Sequence, residues 1–150
     1  MKPYFSTLTD LYNYASSRYA RRTASEYADG TMRYSYSQFK DCCDNISRIL
    51  SNFGIGATDK VAILSENKPN WSVAFFAITA FGRIAVPMLP DLSHDEVENI
   101  LAHSEAKAIF ISKKQLAKLS KETVERLNLV IDIDDFTFVK AAGESYTCDG

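Results

Sequence analysis

Leu8, Leu11, Tyr12, Ala15 and Tyr19 recur at the spacing of one helix face, with mostly polar residues between them. That spacing predicts an amphipathic helix over 8–20. Thr7-Leu8-Thr9-Asp10 precedes it as a capping box, Thr7 accepting from a free backbone N–H and Asp10 reaching back. Two short stretches, 24–28 and 31–34, then flank Asp29-Gly30, a pair that tolerates positive φ. A β-hairpin closed by a type I′ turn is expected there. The clearest helix follows a second capping box, Ser35-Tyr36-Ser37-Gln38, with Phe39, Cys42, Cys43, Ile46, Ile49, Leu50 and Phe53 on one face. Gly54 stands where a left-handed C-cap residue belongs.

From Lys60 onward the pattern alternates between short apolar runs and helical spacing. Lys60–Leu64 has the composition of a strand covered on both faces. Asn67-Lys68-Pro69 prepares a helix start, because a proline in the first turn lacks only an N–H that would be unpaired anyway. Trp71 to Phe81 is apolar almost all round, so this helix should be deeply buried, with Trp71 and Phe75 packed on the sheet. A strand at 84–87, a capping box at Ser93-His94-Asp95-Glu96 with its helix, a strand at 107–112, a helix over 114–126 and a strand at 129–133 complete the series. Strand–helix–strand repeated in this way implies right-handed crossovers and a parallel, doubly wound Rossmann- or flavodoxin-like sheet with helices on both faces. This α/β unit, preceded by its N-terminal helix and hairpin, is expected to occupy residues 1–140. Residues 141–150, with few apolar positions and no periodicity, are expected to be a flexible tail.

A chain of 150 residues with 46% hydrophobic content can bury one proper core. Its formal net charge of −2 gives no field to recruit nucleic acid. The longest apolar stretch, 73–81, is interrupted by Thr79 and falls far short of the ~20 residues of a transmembrane helix. The first seven residues lack the apolar centre of a signal peptide. Cys42 and Cys43, adjacent in the chain, do not form a disulfide framework, and a reduced cytoplasmic setting is the expectation.

Residue chemistry alone assigns no active site. Gly54-Ile55-Gly56 has Asp59 where a dinucleotide fingerprint needs its third glycine, and it follows a helix instead of a strand. No Gly-x-x-x-x-Gly-Lys loop and no nucleophile elbow occurs. His94 and His103 share a predicted helix but not one ligand face, and neither has a Cys or His at metal-site spacing. Cys42 and Cys43 read as packing residues, since no Cys-x-x-Cys is present. Lys113, Lys114, Lys118 and Lys121 read as a solvated helix face, with phosphate binding the sharper alternative. Asp132, Asp134 and Asp135 follow a strand, where acidic residues can hold magnesium, but no facing Lys and Thr accompany them. Ser65-Glu66 and Val86-Pro87-Met88-Leu89-Pro90 lie at the carboxyl ends of strands, where open α/β sheets place their ligands.

Five collinear stretches resemble the N-terminal portion of AMP-forming acyl-CoA synthetases, members of the adenylate-forming superfamily. These are Met32–Phe39, Phe53–Leu64, Ser65–Trp71, Ala80–Met88 and Glu96–Ile111, with Phe81 and Arg83 as departures from the pattern. Each piece is only a cap, a turn or a buried strand; their order over residues 7–112 carries the resemblance. Ser65-Glu66-Asn67, the His103-Ser104 turn and Ile109–Ser112 are most similar to long-chain fatty-acid–CoA ligases.

The resemblance implies an acid–thiol ligase that uses ATP and Mg2+ to activate a fatty acid as acyl-adenylate, then transfers the acyl group to coenzyme A. The family's phosphate loop, metal motifs and catalytic lysine would all lie after residue 150. No catalytic and no metal residue is therefore carried over, and no cofactor-binding residue is assigned. The segment alone is expected to be an inactive scaffold whose partner is the remainder of its own chain. A free-standing flavodoxin-like binding or signalling module, or a superfamily ligase for another carboxylate, is the alternative.

Overall fold

The structure, a computed structural model, describes residues 3–141. Helix α1 (Leu8–Arg18) leads into strands β1 (Thr23–Glu26) and β2 (Arg33–Ser35), and helix α2 (Tyr36–Asn52) follows directly. Then come β3 (Lys60–Leu64), α3 (Pro69–Thr79), β4 (Ile84–Met88), α4 (His94–Ser104) and β5 (Ala108–Ile111). A 3-10 turn (Lys113–Lys118), α5 (Lys121–Arg126), β6 (Leu129–Asp132) and β7 (Phe138–Ala141) close the described chain.

All three expected capping boxes form. Thr7, Ser35 and Ser93 each accept from the backbone N–H three residues on, and Asp10, Gln38 and Glu96 return the bond to the cap. Gly54 takes φ +77° and turns the chain out of α2, letting Ile55 N–H reach back to the Leu50 carbonyl at 3.0 Å.

The main sheet runs in the order β4-β3-β5-β6-β7. The first four strands are parallel, and β7 pairs antiparallel to β6. Alternation along the strands divides two cores. Val61, Ile63, Phe110, Leu129 and Ile131 face the layer of α1, α2 and α3. Ala62, Leu64, Ile109, Ile111 and Val130 face α4 and the segment around α5. This is the expected doubly wound arrangement.

Four details differ from the sequence reading. The hairpin strands stop at Glu26 and resume at Arg33, and only Gly30 of the turn pair has positive φ, so the turn is not type I′. Asp29 instead accepts from the Thr31 N–H at 2.9 Å and the Thr31 hydroxyl at 2.7 Å, which holds it in an ordinary conformation. The helix expected over 114–126 is split, because Ser120 caps a new helix and is itself held by Glu98 of α4.

Helix α3 is buried through Val73, Ala74, Ala77 and Ile78, but Trp71, Phe75 and Phe76 are only half-buried. Trp71 and Phe75 stack on each other at 5.4 Å and border the core without entering it. An apolar sequence all round the helix therefore meets the sheet on one side only. Strand β7 was not expected: Asp135 accepts from the Thr137 N–H and hydroxyl, Phe136 takes φ 58°, and the chain reverses onto β6. It includes Ala141, the first residue of the expected tail; the rest of that tail lies outside the described residues.

Candidate functional site at the carboxyl edge of the sheet

Strand β3 is flanked by β4 on one side and β5 on the other, and the chain leaves the two central strands toward opposite faces. An open parallel sheet places its ligand crevice at such a reversal of strand order, beyond the carboxyl ends. Here that position falls between Ser65-Glu66, after β3, and Ser112, after β5. Asp132 and Asp134 extend the polar rim beside β6.

The rim is built from long-range pairs. The Gln115 amide donates to Glu66 Oε1 at 2.7 Å. The Lys68 ammonium donates to Asp134 and lies 3.7 Å from Glu66 Oε2. Lys113 pairs with Asp132 at 3.4 Å and Asp135 at 3.6 Å, while its backbone N–H donates to Asp134 at 3.3 Å. Asn70, in the first turn of α3, donates to the carbonyls of Ile133 at 2.7 Å and Asp134 at 3.1 Å. Its own side-chain oxygen accepts from the Tyr34 hydroxyl at 2.6 Å, so the hairpin, α3 and the loop after β6 are tied together.

The electrostatics follow from these pairs. Burial pushes the Glu66 carboxyl up, but the Gln115 amide, its own backbone N–H, the nearby Ser112 hydroxyl and Lys68 outweigh it and hold the group down to about 2. Ser112 stands close enough to favour the ionised carboxylate without completing a hydrogen bond. Burial likewise works against the charge on Lys68, but Asp134 and Glu66 raise its pKa.

Because Glu66 is depressed from its ordinary 4.5 to about 2, its stabilising contribution is full above roughly pH 4.5 and is lost as pH falls toward 2. Urea unfolding followed from roughly pH 6 to pH 2 should show the parent losing more stability than Glu66→Gln across that window. Parallel curves for the two proteins would refute the assignment.

Other candidates do not join this site. His94 and His103 are exposed on α4, and His94 Nδ1 lies 2.8 Å from the Lys118 carbonyl. Cys43 is buried with its thiol 3.4 Å from the Val73 carbonyl, and burial pushes both it and Cys42 up, the opposite of a reactive thiol. The four lysines do not act as one face: Lys113 joins Asp132 and Asp135, Lys118 donates to the Pro90 carbonyl at 2.6 Å, and Lys114 and Lys121 are exposed. Val86–Pro90 lies at the carboxyl end of β4, an outermost strand of the sheet among the described residues, where Met88 pairs with Leu64 just before Ser65-Glu66, but it brings only apolar side chains there. Asp132, Asp134 and Asp135 are taken up by Lys113, Lys68 and local backbone; among the described residues no three His, Cys, Asp or Glu side chains gather as a metal cage. Sequence reasoning missed Lys68, Asn70 and Gln115. Only Gln115 had a local signal, its three-residue spacing from Ser112.

The profile of a family described as AMP-binding enzyme matches residues 13–148. A Bacillus subtilis (strain 168) protein named as an acyl-CoA synthetase is 32% identical over 106 residues, covering 71% of this chain and 19% of its own length. Long chain acyl-CoA synthetase 4 of Arabidopsis thaliana is 30% identical over 86 residues, covering 57% of this chain and 13% of its own. Among solved structures, that of an anthranilate–CoA ligase in complex with anthranoyl-AMP superposes with a TM-score of 0.78 at 20% identity, over 90% of this chain and 26% of that one. The chain thus spans a fifth or less of the length of these curated relatives.

Proposed function

Since the chain belongs to the AMP-binding enzyme family, we propose that it is the N-terminal α/β portion, residues 1–140, of an ATP-dependent acyl-CoA ligase acting on long-chain fatty acids. The observation that carries this reading is the match of the AMP-binding profile along nearly the whole chain. The long-chain acyl-CoA synthetase among its relatives supports the choice of acid. In the whole protein, ATP with Mg2+ would activate the acid and coenzyme A would receive it.

The described residues do not fit the triphosphate and its metal. The carboxyl-edge rim carries Glu66, Asp132, Asp134 and Asp135 against Lys68 and Lys113, and both ammoniums are already paired. An anion would meet excess negative charge there. What these residues do is structural: they fix the loops after β3, β5 and β6 and the start of α3 against one another. The segment is the scaffold on which the remainder of the protein places its nucleotide-binding parts. Adjacent free cysteines Cys42 and Cys43 support a reducing, cytoplasmic setting, and no helix among the described residues is long and apolar enough to cross a membrane.

The test is ATP–pyrophosphate exchange by the protein expressed from the whole reading frame, with short, long and aromatic acids. Exchange should be highest with long-chain acids. Highest exchange with an aromatic or short acid would overturn the long-chain reading, and background exchange with every acid would overturn the ligase reading.

A further inference from the structure

A pocket of about 240 Å³ opens between α1, the hairpin, α2 and α3, and no strand of the five-stranded sheet lines it. Its walls include Leu11 and Ala15 of α1, Ala24 of β1, Tyr36 and Phe39 of α2 and Phe76 of α3. Buried Phe39 meets Phe76 edge to face with centroids 5.8 Å apart, while Leu11 is 36% exposed, so the pocket runs from solvent to the core. Water suits this space poorly, because a buried water needs two to four polar partners. The buried polar groups that line it are already used: the Ser16 hydroxyl donates to the Tyr12 carbonyl at 2.6 Å, and the Tyr12 hydroxyl donates to Asp44 at 2.8 Å. An apolar cavity of about 150 Å³ stays dry and takes up benzene. At about 30 Å³ for each water-sized group, this larger one holds a chain of roughly eight methylenes.

The shape sets the tail of a ligand, and the charge beside it sets the head. The Tyr36 N–H donates to the Arg22 carbonyl at 2.9 Å, which places Arg22 beside the mouth. Its guanidinium carbon lies 5.3 Å from the centre of the Tyr19 ring, and that ring packs 5.9 Å from the ring of Tyr36. Contact with a ring face holds the guanidinium while its N–H groups stay free to donate. Among the described residues no carboxylate lies within salt-bridge distance of Arg22, or of its exposed neighbours Arg18 and Arg21. Asp44, which approaches through Tyr12, is paired with Lys40 at 2.6 Å. An anionic head therefore meets uncompensated positive charge at the mouth, and a cationic head meets repulsion.

We propose that this pocket binds a single-chain amphipathic carboxylate, with its apolar chain among Leu11, Ala15, Phe39 and Phe76 and its head on the Arg22 guanidinium. The ligand bridges α1 to α2 and α3 and covers apolar surface that the described fold leaves open. The site rests on the geometry of this chain and not on the ligase reading.

The experiment is isothermal titration of the 150-residue chain with sodium octanoate below its micelle-forming concentration. One site of submillimolar affinity is expected, with 1-octanol roughly tenfold weaker and octyltrimethylammonium not bound. Arg22→Gln should bring octanoate down to the level of octanol and leave octanol unchanged. Ala15→Phe, which puts a ring into the pocket, should abolish binding of both. No octanoate binding by the parent, equal affinity for octanoate and octanol, or unchanged binding in Ala15→Phe would each overturn the proposal. If Ala15→Phe does not fold, nuclear Overhauser contacts of octanoate on the unaltered chain decide. Contacts to the Phe39 and Phe76 rings support the site, and contacts elsewhere overturn it. The difference between parent and Ala15→Phe should persist in the protein expressed from the whole reading frame. Its disappearance there would mean that the remainder of the chain fills the pocket, which overturns the proposal without touching the ligase reading.

Discussion

Replacing Arg83 by Ala is expected to lower the unfolding free energy by about 3–5 kcal/mol, with Arg83→Lys recovering only part of the loss. Arg83 is 6% exposed, and among the described residues no carboxylate lies within salt-bridge distance of it. Its guanidinium instead donates to the Ile55 carbonyl at 2.9 Å, the Ser47 hydroxyl at 2.8 Å, the Ser47 carbonyl at 3.1 Å and the Ser51 hydroxyl at 2.8 Å. These acceptors lie at the carboxyl end of α2 and just beyond it, where a cation also meets the negative end of the helix dipole. Burial pushes the guanidinium pKa down, and the charge of Asp59 partly offsets this.

Truncation removes several charge-assisted hydrogen bonds at once and leaves the Ile55 carbonyl buried without this donor. Lysine restores a charge but not the planar fork that reaches both sides of the helix end. Urea denaturation at neutral pH measures the effect. A curve for Arg83→Ala that overlays the parent would show that the four contacts contribute nothing.

The sequence made the order and type of nearly all elements readable because the signals for them are local. Capping boxes at Thr7, Ser35 and Ser93 act over three residues, and Gly54 acts on its own backbone. The apolar run of β3 declared a strand buried on both faces, and it is. The misses have a common cause, which is competition from distant partners. Glu98 of α4 holds Ser120 and so splits the helix expected over 114–126. Arg83 stood out only as a departure from a family pattern; its role needs the end of α2 brought alongside it.

The site was less legible than the fold for the same reason. Ser65-Glu66 could be placed at a strand end by position alone. Its partners could not, because Gln115 lies 49 residues away and Lys68 meets Asp134 across 66. The basic run at 113–121 and the acidic group at 132–135 looked like separate surface features. Folding sets Lys113 against Asp132 and Asp135, which turns two candidate ligand sites into one internal ion-pair contact.

The second large effect concerns catalysis: the 150-residue chain by itself is expected to give no ATP–pyrophosphate exchange above background with any acid. Exchange requires a triphosphate to be held while pyrophosphate leaves, and positioned donors and metal ions supply most of that stabilisation. The sequence contains no glycine-rich phosphate loop ending in lysine. Of the two lysines at the carboxyl-edge rim, Lys68 is held by Asp134 and Lys113 by Asp132 and Asp135. Freeing either ammonium for a phosphate would leave its carboxylates facing the same anion. Loss of one well-placed donor costs roughly a hundredfold to a thousandfold in rate, and here the whole set is missing. A cooperative unfolding transition on the same sample shows that inactivity does not come from an unfolded chain. Exchange by the folded 150-residue chain would place the nucleotide site within these residues and overturn the scaffold reading, whatever the whole protein does.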